Sequence, residues 1–344
     1  MGESVPVYEI LGELAAEVSL PAIGAAVLLP KCASLKISDD DASASITDNG
    51  AVLKNGEVTV TFSQNGEITS FLMNHSGCEA CSCPSNRFRL FKDVPRLFDA
   101  WDIDSNYELG EIVLDGKAEM TLIASTPIYS AIKIEKRIGD SILKQTASIK
   151  RGSACVEFDA EIEWRELHKL LKVSFATDIA SEEFINEIQY GFIKRPATRS
   201  RQYDKDRFEV CSHKYAALAA GNRTAAVLND CKYGASAVNG EISLTLLRAS
   251  SSPAMRGDNG LQSFVYAFAA WDAPFLDSNV ARAGYEINVP AVAEAFCGRT
   301  ISWIGQFGET SAILDAVKPA DDESGDIILR LYESKGSFTS YTVI

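Results

Sequence analysis

At 344 residues the chain is long enough for two or three cores, since compact domains run to roughly 100 to 200 residues. A formal charge of -14, with Lys and Arg nowhere massed into a stripe, repels phosphates and argues against a nucleic-acid partner. The longest apolar run, Pro21 to Pro30, falls short of the ~20 residues a membrane-spanning helix needs, and no basic region precedes it as in a cleaved leader, so the expectation is a cytoplasmic chain that meets no membrane.

In chain order, Glu9 to Glu17 has local helical periodicity, and the acidic run Ser38 to Gly50 (SDDDASASITDNG) reads as a linker. Val58, Val60 and Phe62 then alternate with threonines. Asn65-Gly66 is expected to supply the φ > 0 residues of a tight turn before Ile68 and Phe71 resume, which makes a hairpin. The stretch HSGCEACSC gathers His75, Cys78, Cys81 and Cys83. Structural zinc sites usually split their ligands into two separated pairs, so a loop between strands is the preferred reading and free thiols are expected at the other cysteines.

Asn86 to Tyr107 (NRFRLFKDVPRLFDAWDIDSNY) stands out because Asp93, Asp99, Asp102 and Asp104 alternate with Phe98, Trp101 and Tyr107. Carboxylates accept hydrogen bonds from sugar hydroxyls and an indole offers a flat apolar face to a sugar ring. The structural reading of the same residues has Trp101 filling a core while Asp99 and Asp102 cap backbone amides. Ile142 to Ile149 and Ala154 to Arg165 follow as two strands joined through Gly152; in the second, Val156, Phe158, Ala160, Ile162 and Trp164 alternate with charges, as a half-buried antiparallel strand requires. Glu166 and His168 are a candidate proton-transfer pair, or else surface ion-pair partners. Glu182 to Ile188 again shows short helical periodicity.

Further on, Asn229 to Gly234 (NDCKYG) ends an apolar strand; Lys232 could orient a ligand, and a hairpin turn closed by Gly234 explains the same residues. Ile242 to Leu246, Phe264 to Phe268 and Ile327 to Leu331 add strand signals. The polar run Lys318 to Gly325 reads as a hairpin loop, with Ile301 to Phe307 a strand before it. Turn-separated strands without intervening helices argue for β-sandwiches. No G-x-G-x-x-G, P-loop, G-x-S-x-G or H-E-x-x-H occurs, and the three histidines, His75, His168 and His213, lie far apart in sequence.

Several segments in collinear order resemble the C-terminal half of family-38 glycoside hydrolases, the zinc-dependent α-mannosidases. They include NGEVTVTFSQNGEITS (Asn55 to Ser70), DAWDID (Asp99 to Asp104), EWRELHKLLKVSF (Glu163 to Phe175), LNDCKYG (Leu228 to Gly234) and ILRLYESKG (Ile328 to Gly336). The resemblance implies an all-β chain: a galactose-mutarotase-like supersandwich over residues 48–288, preceded by a short β segment and acidic linker at 1–47 and followed by a partial β-sandwich at 289–344. It implies that the zinc ligands and the nucleophilic aspartate belong to an N-terminal catalytic half, so this chain carries no cofactor or catalytic residue of its own and is expected to be inactive alone. The implied partners are that catalytic half and mannosides, with room for a homo-oligomer. Asp99, Trp101, Asp102, Lys232 and Tyr233 are the candidates for facing substrate or the catalytic half. Gln262 stands where relatives show His in a D-x-G-x-H stretch, which puts a ligand role there in doubt. A free-standing mutarotase-like enzyme pairing a His with a carboxylate, and a carbohydrate-binding module built on Trp101, are the alternative functions.

Overall fold

The computed structural model describes residues 5–18, 23–26, 38–114, 116–292, 301–304 and 311–340. Among these, every strand pairing is antiparallel, and three sheets dominate. The largest has nine strands, in the order Glu119–Ser125, Tyr129–Ile138, Ser141–Lys150, Cys155–Trp164, Gly260–Trp271, Arg223–Asn229, Tyr215–Ala220, Glu183–Ile188 and Gly191–Pro196. A six-stranded sheet runs Glu111–Ile112, Arg87–Lys92, Lys169–Ala176, Glu241–Arg248, Gly234–Val238, Val210–Cys211, and a five-stranded sheet runs from Ser43–Thr47 to Cys78–Glu79.

The large sheet contributes Phe158, Trp164, Tyr266 and Phe268 to one shared core, the six-stranded sheet Phe175 and Leu244, and the five-stranded sheet Phe62 and Phe71. Phe175 stacks on Phe268 with ring centroids 5.0 Å apart, and Phe71 meets the same ring edge-on at 5.0 Å. Each such ring fully removed from water contributes about 1.5–3 kcal/mol, so this shared layer is what holds the sheets face to face. One polar thread crosses it: the Tyr266 hydroxyl donates to Asn86 Oδ1 at 2.7 Å and accepts from Gln145. Every member of that thread is bonded, as burial demands. The chain is therefore built of the sandwiched strands its alternation announced, in the all-β supersandwich that the resemblance implied.

The hairpin of Ser141–Lys150 with Cys155–Trp164 has the expected partners, with Thr146 opposite Asp159. The hairpin of Val58–Ser63 with Ile68–Met73 also forms, but only Gly66 takes a positive φ, 75°; Gly66 N donates to Ser63 O and Ser63 N to Glu67 O, closing a three-residue loop with an adjoining register shift instead of a two-residue turn.

Both expected helices are strands. Val7–Ile10 pairs with Glu13–Ala16 because Leu11 and Gly12 both adopt positive φ, 54° and 83°, the backbone of a two-residue hairpin turn. Glu183–Ile188, flanked by a strand on each side as the eighth of nine, is buried on both faces over Phe184 to Glu187, so its apolar residues do not alternate and the pattern mimics a helix. In place of a linker, the acidic run holds Ser43–Thr47, paired with Gly50–Lys54. Ile301–Ile304 pairs with Ile23–Ala25, while the polar loop after Pro319 joins Ala312–Pro319 to Ile327–Glu333; the end of the expected 301–307 strand lies outside the described residues. A helix that the strand reading missed, Val280–Asn288, lies on the outer face of the large sheet, where Val280, Ala283 and Ile287 meet Tyr215, Ala217 and Leu228. Gly284 is its point of closest approach: a Cβ there would stand 3.3 Å from Lys214 O and the Tyr215 ring.

Candidate functional site

The outer face of the six-stranded sheet is covered by the segment that follows strand Arg87–Lys92. Arg248, at the end of Glu241–Arg248, holds it down: Nε donates to Asp93 Oδ2 at 2.7 Å, Nη1 to Ala100 O at 3.3 Å, and Nη2 to Asp99 O at 3.0 Å and Asp102 O at 2.6 Å. The planar fork of an arginine suits such convergent acceptors. Phe98, at φ 56°, bends the chain so that its carbonyl accepts from both Trp101 N and Asp102 N. The turn directs apolar groups outward: Trp101 is 73% exposed, and Val94, Leu97, Phe98, Leu109 and Val113 are exposed as well. Trp101 thus fills no core. Asp99 and Asp102 do cap amides: Asp99 Oδ2 accepts from Ser251 N at 2.7 Å and Ser252 N at 3.1 Å, and Asp102 Oδ1 from Ile103 N at 2.9 Å.

Beside Asp99 lies a constellation that sequence distance concealed. Ser251 Oγ is 3.1 Å from His168 Nε2, and His168 Nδ1 is 3.9 Å from Asp99 Oδ1, both of the latter atoms being buried without a hydrogen-bond partner. The order Ser, His, Asp is that of a nucleophile, base and orienting acid. At 3.9 Å, however, the second link is no hydrogen bond. The amides of Ser251 and Ser252, which could have stabilised an oxyanion, are also already committed to Asp99 Oδ2. As placed, these residues join two loops and do not form an acyl-transfer centre.

Beneath this cover sits a buried ion pair. Lys172 emerges from the middle of Lys169–Ala176 with a side chain 2% exposed, and its ammonium donates to Glu209, to the Tyr107 hydroxyl at 3.2 Å and to Ser236 Oγ at 3.2 Å. Burial pulls the ammonium toward neutrality, and the Glu209 carboxylate more than reverses this, leaving its pKa above the ordinary lysine value. Tyr107 packs edge-on against Phe91 at 5.0 Å and is the lid of the pair. Lysine in the apolar stretch KLLKVSF carried no sign in sequence that its partner would be Glu209.

Lys232 and Tyr233 are elsewhere. Their turn is closed by Lys232 N donating to Asn229 Oδ1 at 2.8 Å, the hairpin chemistry its sequence suggested; the Lys232 ammonium lies 4.9 Å from the Phe264 ring centre, and Tyr233 lies 5.1 Å from the His213 ring. Among the described residues no hydrogen bond, ion pair or ring contact joins them to Asp99, Trp101 or Asp102, so the five candidates do not form one site. Glu166 is buried, not on the surface, and accepts from Asp140 N at 2.7 Å and Ser141 Oγ at 3.0 Å. Gln262 Nε2 donates to Asp258 O, and Asp258 Oδ2 accepts from Arg248 N, a further tie between the two loops.

The histidines each have a carboxylate nearby, at 3.4 Å for His75 and Glu57 and 3.8 Å for His213 and Glu187, but none is joined to one by a hydrogen bond among the described residues. No group of three His, Cys, Asp or Glu side chains among them is arranged to hold a metal ion. In the His75 and Cys78 to Cys83 stretch, burial pushes the Cys81 thiol up to about 12. The residues described here do not fit the zinc ion of the resembling family.

This pinned face lies on an antiparallel β-supersandwich, and it is this fold that known proteins share. Residues 53–256 match the family model of the glycosyl hydrolases family 38 C-terminal domain, and the chain belongs to that family. It is 34% identical over 300 residues to Alpha-mannosidase 2C1 of Homo sapiens, covering 85% of this chain and 29% of that protein. It is 30% identical over 321 residues to Alpha-mannosidase G of Dictyostelium discoideum, covering 89% of this chain and 29% of that protein. The crystal structure of an alpha-mannosidase from Enterococcus faecalis V583 superposes with a TM-score of 0.68 at 14% identity, over 81% of this chain and 36% of that one, and shares the fold. The chain thus spans less than a third of the length of these curated relatives.

Proposed function

We propose that this chain serves as the non-catalytic C-terminal β-sandwich portion of an α-mannosidase acting on terminal α-mannosides, and that its 93–113 face seats the catalytic portion. The observation that carries the reading is the joint one of partial coverage and pinned apolar surface. The chain matches 29% of relatives that are named as α-mannosidases, and it holds Trp101, Phe98 and Leu97 outward on a loop fixed by Arg248. Rigid exposed aromatic groups are the anchors of protein interfaces. Zinc and the nucleophile would come from the catalytic portion. Free thiols at six described cysteines suit a reducing, cytoplasmic setting.

The test is to assay the purified chain against an aryl α-mannoside with and without zinc, and then mixed with the catalytic portion of a family-38 relative. The chain alone is expected to be inactive, and the mixture to form a complex that Trp101→Ala weakens. Turnover by the chain alone that is abolished by substituting one of its own residues would refute the proposal.

A further inference from the structure

Both large sheets end on the same side of the molecule: Gly191–Pro196 is the last strand of the nine-stranded sheet and Val210–Cys211 the last of the six-stranded one, with residues 197–209 bridging the two edges. Between them lies a cavity of about 60 Å³, lined by Phe184, Arg195, Arg199, Asp204, Arg207 and Ser236 among others. That volume holds roughly four to six waters, or one small oxyanion.

Its polar groups are incompletely matched. Arg195 Nη1 is buried without a hydrogen-bond partner, and among the described residues no carboxylate comes within ion-pair distance of this guanidinium, which burial holds below its ordinary pKa. Arg207 likewise makes no ion pair among the described residues and lies 5.2 Å from the centre of the Tyr203 ring. Arg199 is spoken for, its Nη1 donating to both oxygens of Glu108 at 3.1 and 3.2 Å. On the acceptor side, Asp204 Oδ2 takes Arg201 N at 3.1 Å, while its Oδ1 is buried and unpartnered. Leaving a buried charged donor or acceptor unpaired is costly, because its lost hydration goes uncompensated. Here one of each lines the same cavity, with no ion pair between them. With Glu108 and Asp204 counted against three guanidiniums, the surroundings keep a positive charge in a chain whose net charge is -14.

We propose that this cavity binds a hydroxylated anion of the phosphate class, its oxygens on Arg195 and Arg207 and its hydroxyl, whether P–OH or the alcohol of a phosphate ester, donating to Asp204 Oδ1. A planar guanidinium is matched to a tetrahedral oxyanion, and a lone carboxylate oxygen among arginines selects a ligand that also carries a donor. The site is independent of the mannosidase reading, since neither Trp101 nor the catalytic portion enters it.

Calorimetric titration of the full chain with inorganic phosphate, a hexose 6-phosphate and the unphosphorylated hexose tests it. Both phosphates are expected to bind, more weakly as salt is raised, and the hexose not to bind; a tighter ester points to a sugar phosphate and equal affinities point to free phosphate. Arg195→Gln and the exposed Arg207→Gln should each weaken binding by about tenfold or more, and Asp204→Asn should erase any advantage of the ester. Absence of binding by either phosphate, or affinity unchanged in whichever arginine variant melts like the wild type, overturns the proposal.

Discussion

The two sheets of the supersandwich each have an outer face that must be covered, and they are covered by opposite means. On the nine-stranded sheet an amphipathic helix, Val280–Asn288, lays Val280, Ala283 and Ile287 on Tyr215, Ala217 and Leu228, so that its apolar side is spent inward. On the six-stranded sheet an irregular segment encloses a lysine-glutamate pair and turns its large apolar side chains outward. The first cover closes the fold through apolar contacts. The second closes the fold largely through polar contacts, with Tyr107 and Ile103 packed inward, and leaves Trp101, Phe98 and Leu97 on the surface that the proposed function assigns to the catalytic portion.

Breaking the polar cover at its centre should have the largest effect. Lys172→Ala leaves Glu209 enclosed without its cation and should lower the unfolding free energy by about 3–5 kcal/mol in urea titration, whereas Lys172→Met with Glu209→Leu should recover most of the loss. Full recovery by the single variant Lys172→Met would show that the pair is not coupled. Because the folded lysine titrates above its unfolded value, the pair's contribution should persist from neutral pH up to about 10.5 and fall as pH rises through the folded pKa.

Next comes the apolar cover. Leu228→Ala beneath the helix should cost about 2–4 kcal/mol, with no change in the exposure of the 93–113 segment to protease. Arg248→Ala should cost less, about 1.5–3 kcal/mol, yet admit chymotrypsin at Phe98 and Trp101, since four of the loop's anchoring bonds end on that one guanidinium. Equal proteolysis rates in the two variants would erase the distinction between the covers. Trp101→Ala should be nearly silent in the melt of the chain alone, within about 0.5 kcal/mol.

Much of this was legible in the residues. The alternation from Val156 to Trp164, the turn at Gly152 and the break at Gly66 all act through local backbone and periodicity, and each strand stands where its pattern indicated. What escaped had non-local causes. Glu183–Ile188 reads as a strand only once its neighbours on both sides are known. The pair Leu11-Gly12 carried a usable turn signal that helical spacing outweighed, and Val280, Ala283 and Ile287 carried a helical one amid strands. At the site, Asp99 and Asp102 cap amides as short acidic side chains do, but the meeting of Asp99 with Ser251 and His168 joins positions 152 and 69 residues away. No spacing rule connects them. For Trp101 composition favoured the core, and that placement fails, because what turns the ring outward is the left-handed Phe98 and an arginine 147 positions later.

Arg248 also binds Asp258 through its backbone amide, and Asp99 reaches across to Ser251 and Ser252, so the 93–102 and 250–259 loops are laced into one body before anything docks. The conformational entropy of arranging that surface is therefore lost when this chain folds and not again when a partner arrives. An association that would otherwise have to order some ten residues of loop meets a surface already set, and its dissociation rate then depends on the contacts made and not on how often the loop wanders out of register.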